Sequence, residues 1–241
     1  MVKQLDLPSI YKEREKNPVP ERYKKYIGRP AISYSTYTAF KEEGYRGEWL
    51  ANKFLGIPSE GSIFTEYGGA VGTYQETAIP QLYLSQFDLE TLDKETPSNP
   101  LAEYEREVLI DRGSYIVYGF VDRLLGVESK IIDLADFKTG SIEKKAKEYA
   151  SKEYKQTGLY SYALEEEGFT INTSSVVLFD RKGNTLEQGN KNVLRLTGDI
   201  QYIPTPYVRE EMEEFLLELD ETAKKIEKYW KLYKEVFGTN N

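Results

Sequence analysis

Three segments crowded between Glu105 and Lys138 narrow the choice of fold more than anything else in the chain. Glu105 to Ile110, Ser114 to Leu124 and Lys130 to Lys138 carry the β-branched and aromatic residues of strands, and Asp111-Arg112-Gly113 suits a hairpin turn between the first two. Further strands are expected at Ser175 to Asp180 and near Asn192 to Thr197, on either side of the loop Arg181-Lys182-Gly183-Asn184. Helical patterns precede, interrupt and follow these strands. Ile32 to Glu43 reads as a helix capped by Ser33 or Ser35, with a second amphipathic piece around Trp49, Leu50, Phe54 and Leu55. Tyr67 to Glu76, with glycines at 68, 69 and 72, is expected to make a tight turn leading into a helix that ends near Pro80 or resumes just after it. Thr139-Gly140 is expected to close the third of these strands, before a long polar helix running to about Gly168. Met212, Phe215, Leu216, Leu219, Ala223, Ile226, Trp230 and Tyr233 recur at steps of three and four, the repeat of a helix that buries one face. Together these patterns predict an α/β fold with a mixed central sheet flanked by helices.

At 241 residues the chain is expected to form one domain, with a polar arm over residues 1–30 and a packing helix over 207–237. No apolar run approaches the roughly 20 residues that span a bilayer. The amino terminus, MVKQLDLPSIYKEREKNP, lacks the apolar stretch of a secretory signal, so a cytoplasmic location is expected and no membrane partner.

The chain contains neither cysteine nor histidine. Disulfides, thiolate nucleophiles, Ser-His and Cys-His triads, and zinc or iron-sulfur sites built on those side chains are thereby excluded. Any metal must be oxygen-bound, which favours magnesium or manganese. A formal net charge of -8 offers no global attraction for a polyanion, which would need a local basic surface.

Within Ile132-Asp133-Leu134-Ala135-Asp136-Phe137-Lys138, the period of two sends Asp136 and Lys138 to one face and Asp133, Ala135 and Phe137 to the other. In Gly119-Phe120-Val121-Asp122-Arg123 an acid arrives at the end of an apolar run, where a neighbouring strand would bring it beside Asp136. Two carboxylates make a cation site, and magnesium commonly takes only one or two from a protein, completing its shell with water and substrate phosphate. Such a site suits phosphodiester hydrolysis, with Lys138 orienting or helping to deprotonate the attacking water, or stabilising negative charge on phosphorus.

These residues resemble the D…(D/E)xK signature of the restriction-endonuclease-like, PD-(D/E)xK nucleases, here as GFVDR…DLADFKTG, whose Lys-Thr-Gly ending is typical of the RecB-like members. Gln156-Thr157-Gly158-Leu159-Tyr160 is similar to their QxxxY motif, Ile32-Ser33-Tyr34-Ser35 to their opening segment, and the glycine-rich stretch to Glu76 occupies the place of their first motif. The resemblance implies a restriction-endonuclease-like mixed sheet and a magnesium- or manganese-dependent deoxyribonuclease, first of all an exonuclease of the phage type. DNA recombination, repair or phage DNA processing would be its setting, with DNA as partner and a recombination or replication protein as a further one. It implies Asp122, Asp136 and Lys138 as catalytic residues, and Glu76, Asp122, Asp136 and the main chain of Phe137 as metal ligands. Gln156 and Tyr160 would face the DNA. Relatives often carry a metal-binding histidine in the first motif, where this chain offers Gly72, Gln75 and Glu76; Glu76 is the expected substitute, with Gln75 its competitor. The iron-sulfur cluster of several relatives is impossible here.

Other assignments compete at the same residues. A silent nuclease-fold protein that binds DNA or a protein would share the motifs, and a helix-rich interaction protein would share the last helix. Arg123 is expected in an ion pair; Lys144, Lys145, Lys147, Lys152 and Lys155 could track a phosphate backbone, but Glu143, Glu148 and Glu153 interleave with them as on a solvated helix. Tyr67 and Tyr74 are the tyrosines expected to stack on a single strand.

Overall fold

The computed structural model describes residue 25 and residues 29–44, 63–95, 97–183 and 194–237. Most of the polar arm, the amphipathic piece around Trp49 to Leu55, the loop from Asn184 onward, and the side chains of Trp230 and Tyr233 lie outside the described residues.

Six strands form one mixed sheet: β1 (Ala31–Ile32), β2 (Ala102–Asp111), β3 (Ile116–Leu125), β4 (Ile131–Gly140), β5 (Thr170–Lys182) and β6 (Arg195–Pro204). Their order is β1-β3-β4-β5-β6, with β2 also paired to β3. β4 runs antiparallel to β3 and parallel to β5, while β6 returns antiparallel to β5. The β4-β5 pair is covered on both faces, as parallel strands generally must be. Ile132, Leu134 and Ala135 of β4 and Val176 to Phe179 of β5 are all buried.

Among the described residues the α-helices are α1 (Tyr34–Glu43), α2 (Ile63–Thr77), α3 (Gln86–Leu92), α4 (Ile142–Tyr149), α5 (Gln156–Glu166) and α6 (Arg209–Phe237). Ser33 caps α1 by accepting from the Thr36 amide. The described chain falls into two compact units, one comprising 29–44, 109–119 and 213–237, the other 63–95, 97–108, 120–183 and 194–212. In the first, Phe215 of α6 packs edge-on against Tyr37 of α1 with ring centroids 5.0 Å apart, and Tyr37 donates to Glu218. Arg112 in the hairpin turn and Tyr115 just after it both hold Asp220. The expected repeat in the last helix is present, with Met212, Phe215, Leu216, Leu219, Ala223 and Ile226 all buried. The second unit contains every expected site residue.

Three expectations are corrected in the second unit. The glycine-rich stretch is no turn, because α2 runs unbroken from Ile63 to Thr77. A helical glycine costs about 1 kcal/mol relative to alanine. Burial of Tyr67, Val71 and Tyr74 against Phe137, Val177 and Phe179 more than offsets this, at about 1.5–3 kcal/mol for each large apolar side chain. At Gly68 the helix comes so close to β4 that a Cβ would stand 3.4 Å from Thr139 Oγ1. Second, the long polar helix is two helices, α4 and α5, separated by Ala150 to Lys155. Third, β6 continues past Thr197 to Pro204, passing Gly198 at φ +100, a conformation that favours glycine. Helix α3 is additional, and a capping box explains it: Ser85 accepts from the Asp88 amide while the Asp88 carboxylate accepts from the Ser85 amide.

Candidate active site

The register of β3 on β4 sets Arg123 opposite Ala135 and Leu124 opposite Leu134, so one further step brings Asp122 opposite Asp136. The Asp122 carboxylate then accepts from the Phe137 amide at 2.5 Å, taking the part of a ladder carbonyl. Asp136 is 1% exposed, and Lys138 Nζ lies 2.5 Å from its Oδ2. The period-two expectation holds geometrically: Asp136 and Lys138 share one face, while Phe137 joins the core beneath α2 on the other.

The break between α4 and α5 has a consequence for this site. It turns Tyr154 inward, where its hydroxyl lies 3.2 Å from Asp136 Oδ2 and 3.0 Å from Gln156 Oε1. Gln156 Nε2 donates to Asp136 Oδ1 at 3.1 Å and to the Tyr160 hydroxyl at 2.8 Å. Gln156 and Tyr160 do share a helical face as the i,i+4 spacing predicts, but that face is turned to Asp136, and Tyr160 is buried. Both oxygens of Asp136 therefore meet donors, from Lys138 and Tyr154 on one side and Gln156 on the other. Tyr154 was not legible as a site residue, since no glycine or proline marks the break that aims it inward.

Electrostatically the site holds more acid than base. Burial, and then the neighbouring Asp136, push Asp122 up to about 8. Burial alone would lower Lys138, but Asp136 and Asp122 outweigh it and hold the ammonium above its ordinary value. Burial and then Glu105 raise Glu76 to about 7. Glu105 was not singled out in the sequence. It lies on β2 with φ +49, in the left-handed region, and faces Glu76.

Glu76 and its competitor Gln75 are now separated. Gln75 is buried and donates to the Leu92 carbonyl at 3.0 Å, which ties α2 to α3. Glu76 faces Glu105 rather than closing on the aspartate pair, and among the described residues no three acidic side chains form a ready-made ion-holding cluster. Asp122 and Asp136 are the carboxylates that meet. Two facing carboxylates with a single lysine between their charges fit the donor set magnesium or manganese prefers, with main chain and water supplying the rest.

Other residues have structural duties. Arg123 pairs with the buried Glu95 at 2.8 Å. Lys145 pairs with Glu148, and Lys152 and Lys155 with Glu211. Tyr67 and Tyr74 are not open to a strand, contrary to expectation: they are 1% and 7% exposed and donate to Asp88 and Asp93. No helix among the described residues is long and apolar enough to cross a membrane.

No protein-family model matches the chain, and no curated protein matches it in sequence. Among solved structures it is similar to the crystal structure of a protein from Eubacterium rectale named "Putative exonuclease", with a TM-score of 0.50 and 11% identity over 84% of this chain and 82% of that one. At that identity the likeness is one of fold: the two proteins share a mixed sheet flanked by helices.

Proposed function

We propose that this protein is a metal-dependent deoxyribonuclease of the PD-(D/E)xK type, acting first of all as an exonuclease. The observation that carries it is the meeting of Asp122, Asp136 and Lys138 on adjacent strands, with Lys138 Nζ 2.5 Å from Asp136. The fold shared with the exonuclease-named neighbour supports the same class. Asp122, Asp136 and the Phe137 carbonyl would hold magnesium or manganese, with Glu76 completing the set through water or a side-chain movement. A metal bound there supplies Lewis acidity toward the phosphoryl oxygen and lowers the pKa of water. Lys138 orients the attacking water or offsets charge on phosphorus, its ammonium kept protonated by the two aspartates. Tyr154, Gln156 and Tyr160 hold Asp136 in one orientation, as partners of metal-binding carboxylates generally do.

The test uses single- and double-stranded DNA, each linear and circular, with magnesium, manganese or EDTA. An exonuclease degrades the linear forms only in the presence of metal and spares the circles. Cleaved circles would make it an endonuclease. No cleavage by folded protein, together with manganese uptake that Asp136→Ala leaves unchanged, would favour a silent DNA- or protein-binding scaffold.

A further inference from the structure

Helix α4 lies over the carboxyl end of β4, just past Lys138. A Cβ at Gly140 would stand 3.5 Å from Lys145 Cγ, and the Ile142 amide that opens the helix donates to Asp180, the partner of Gly140 in the β4-β5 register. Tyr149 follows Lys145 by four residues and so shares its face of the helix, one turn on. Its ring is buried, at 9% exposure, and packs edge-on against Tyr154, whose hydroxyl lies on Asp136; the two ring centroids are 5.0 Å apart. Tyr149 thereby joins Tyr154 and Tyr160 around the aspartate.

The three tyrosines differ in what their hydroxyls meet. Tyr154 stands against Asp136 and Gln156, and Tyr160 accepts from Gln156. The Tyr149 hydroxyl has no hydrogen-bond partner among the described residues, yet it is not sealed from solvent. A buried tyrosine generally finds a partner for its hydroxyl, so one that opens from a buried ring without a partner calls for a ligand. Burial raises the Tyr149 hydroxyl above the ordinary tyrosine value, so it keeps its proton and can donate; among the charges around it Lys138 acts most strongly, ahead of Lys145, Glu148 and Asp136. The hydroxyl therefore stands at the lysine's end of the site, and Lys138 feels it in turn.

The other donors here are engaged. Lys138, Tyr154 and Gln156 all turn to Asp136. A phosphate entering beside these carboxylates needs donors of its own, and fixed donors aimed at oxygens that gain charge are what stabilise such a transition state. A neutral hydroxyl supplies one without adding a charge to the site.

We propose that Tyr149 contacts the substrate, its hydroxyl donating a hydrogen bond to a non-bridging oxygen of the bound phosphate beside Lys138. The inference rests on the nuclease assignment, which makes that phosphate a phosphodiester. The proton stays on the tyrosine throughout: the hydroxyl holds the oxygen while water attacks phosphorus. Tyr149 and Tyr154, in ring contact, then have separate duties, one toward the substrate and the other toward the metal-binding carboxylate.

Tyr149→Phe keeps the ring and removes only the hydroxyl, and three measurements test the assignment. Calorimetric titration gives affinity for manganese and then, on manganese-loaded protein, affinity for thymidine monophosphate; end-labelled linear DNA with manganese gives the cleavage rate. Tyr149→Phe should bind manganese within twofold of wild type, bind the nucleotide about tenfold more weakly and cut DNA about tenfold or more slowly, the loss expected for one hydrogen bond to a charged group. It should melt no lower than wild type, because no bond within the protein is lost. Tyr154→Phe should instead weaken manganese binding. A lower melting temperature for Tyr149→Phe would place the hydroxyl in a bond within the protein and overturn the inference. Unchanged cleavage would overturn it as well, as would slower cleavage with nucleotide affinity within twofold of wild type, or manganese-loaded wild type that binds no nucleotide. Absence of metal-dependent cleavage by wild type would sink the nuclease assignment instead, and the nucleotide titration would still read whether the hydroxyl holds phosphate.

Discussion

Replacing Tyr154 by phenylalanine removes one proton donor from Asp136 and keeps the ring. The ring remains to pack on Tyr149, 5.0 Å away centroid to centroid. The hydroxyl's single proton is shared between Asp136 Oδ2 at 3.2 Å and Gln156 Oε1 at 3.0 Å, so one hydrogen bond is lost. Hydrogen bonds to charged groups contribute about 1.5–3 kcal/mol. Lys138 still covers the same oxygen, which places the stability cost near the bottom of that range, about 1–2 kcal/mol. For a chain of this size that is roughly 2–8 °C in melting temperature. The larger effect should fall on metal binding, because partners that orient a ligating carboxylate typically contribute about 10–100-fold in metal affinity or activity. Calorimetric titration of manganese without DNA measures this directly. Tyr154→Phe and Gln156→Ala should each weaken manganese binding at least tenfold, and the double variant by less than their product, since both act on one carboxylate. Manganese affinity within twofold of wild type, combined with weaker oligonucleotide binding by Gln156→Ala, would refute the positioning role. Gln156 would then face the substrate, as the family resemblance implies.

Three further predictions follow from the same geometry. Asp122 is raised from 3.8 to about 8 and Glu76 from 4.5 to about 7, so the folded chain keeps protons that the unfolded chain releases. Metal-free protein should therefore lose stability as pH rises from about 4 to 8, manganese should restore more of it at pH 8 than at pH 5, and Asp122→Asn should flatten the trend; melts that do not vary with pH in EDTA would contradict this. Gly126→Ala should destabilise the fold by more than about 3 kcal/mol, because its φ is +79 and a Cβ would stand 2.1 Å from the Ile131 carbonyl oxygen; urea denaturation reads the cost. Gln75→Ala should cost about 1–3 kcal/mol by leaving the buried Leu92 carbonyl unpaired, yet leave manganese affinity unchanged, whereas loss of metal binding would return Gln75 to the site.

That Asp136, Lys138 and Asp122 would meet was legible because it depends on two short-range regularities, the period of a strand and the pairing of neighbouring strands. The glycines of α2 misled for a physical reason: locally they favour a turn, and only the tertiary burial of Tyr67, Val71 and Tyr74 makes the helix continuous. That burial also withdrew two tyrosines that looked available for stacking. Tyr154 and Glu105 were illegible, one aimed by a helix break without glycine or proline and the other by a positive φ within a strand. The cap of α3 could have been found, because Ser85 followed by Asp88 is a capping-box pattern.

The most direct test of the central claim compares end-labelled linear DNA incubated with manganese and wild-type protein or Lys138→Ala. Wild type is predicted to degrade the DNA, with EDTA abolishing the reaction, and Lys138→Ala to fall by about 100-fold or more while still folding and binding manganese. Equal metal-dependent cleavage by the two proteins would contradict the account, because the reaction would then not depend on the lysine that stands against Asp136.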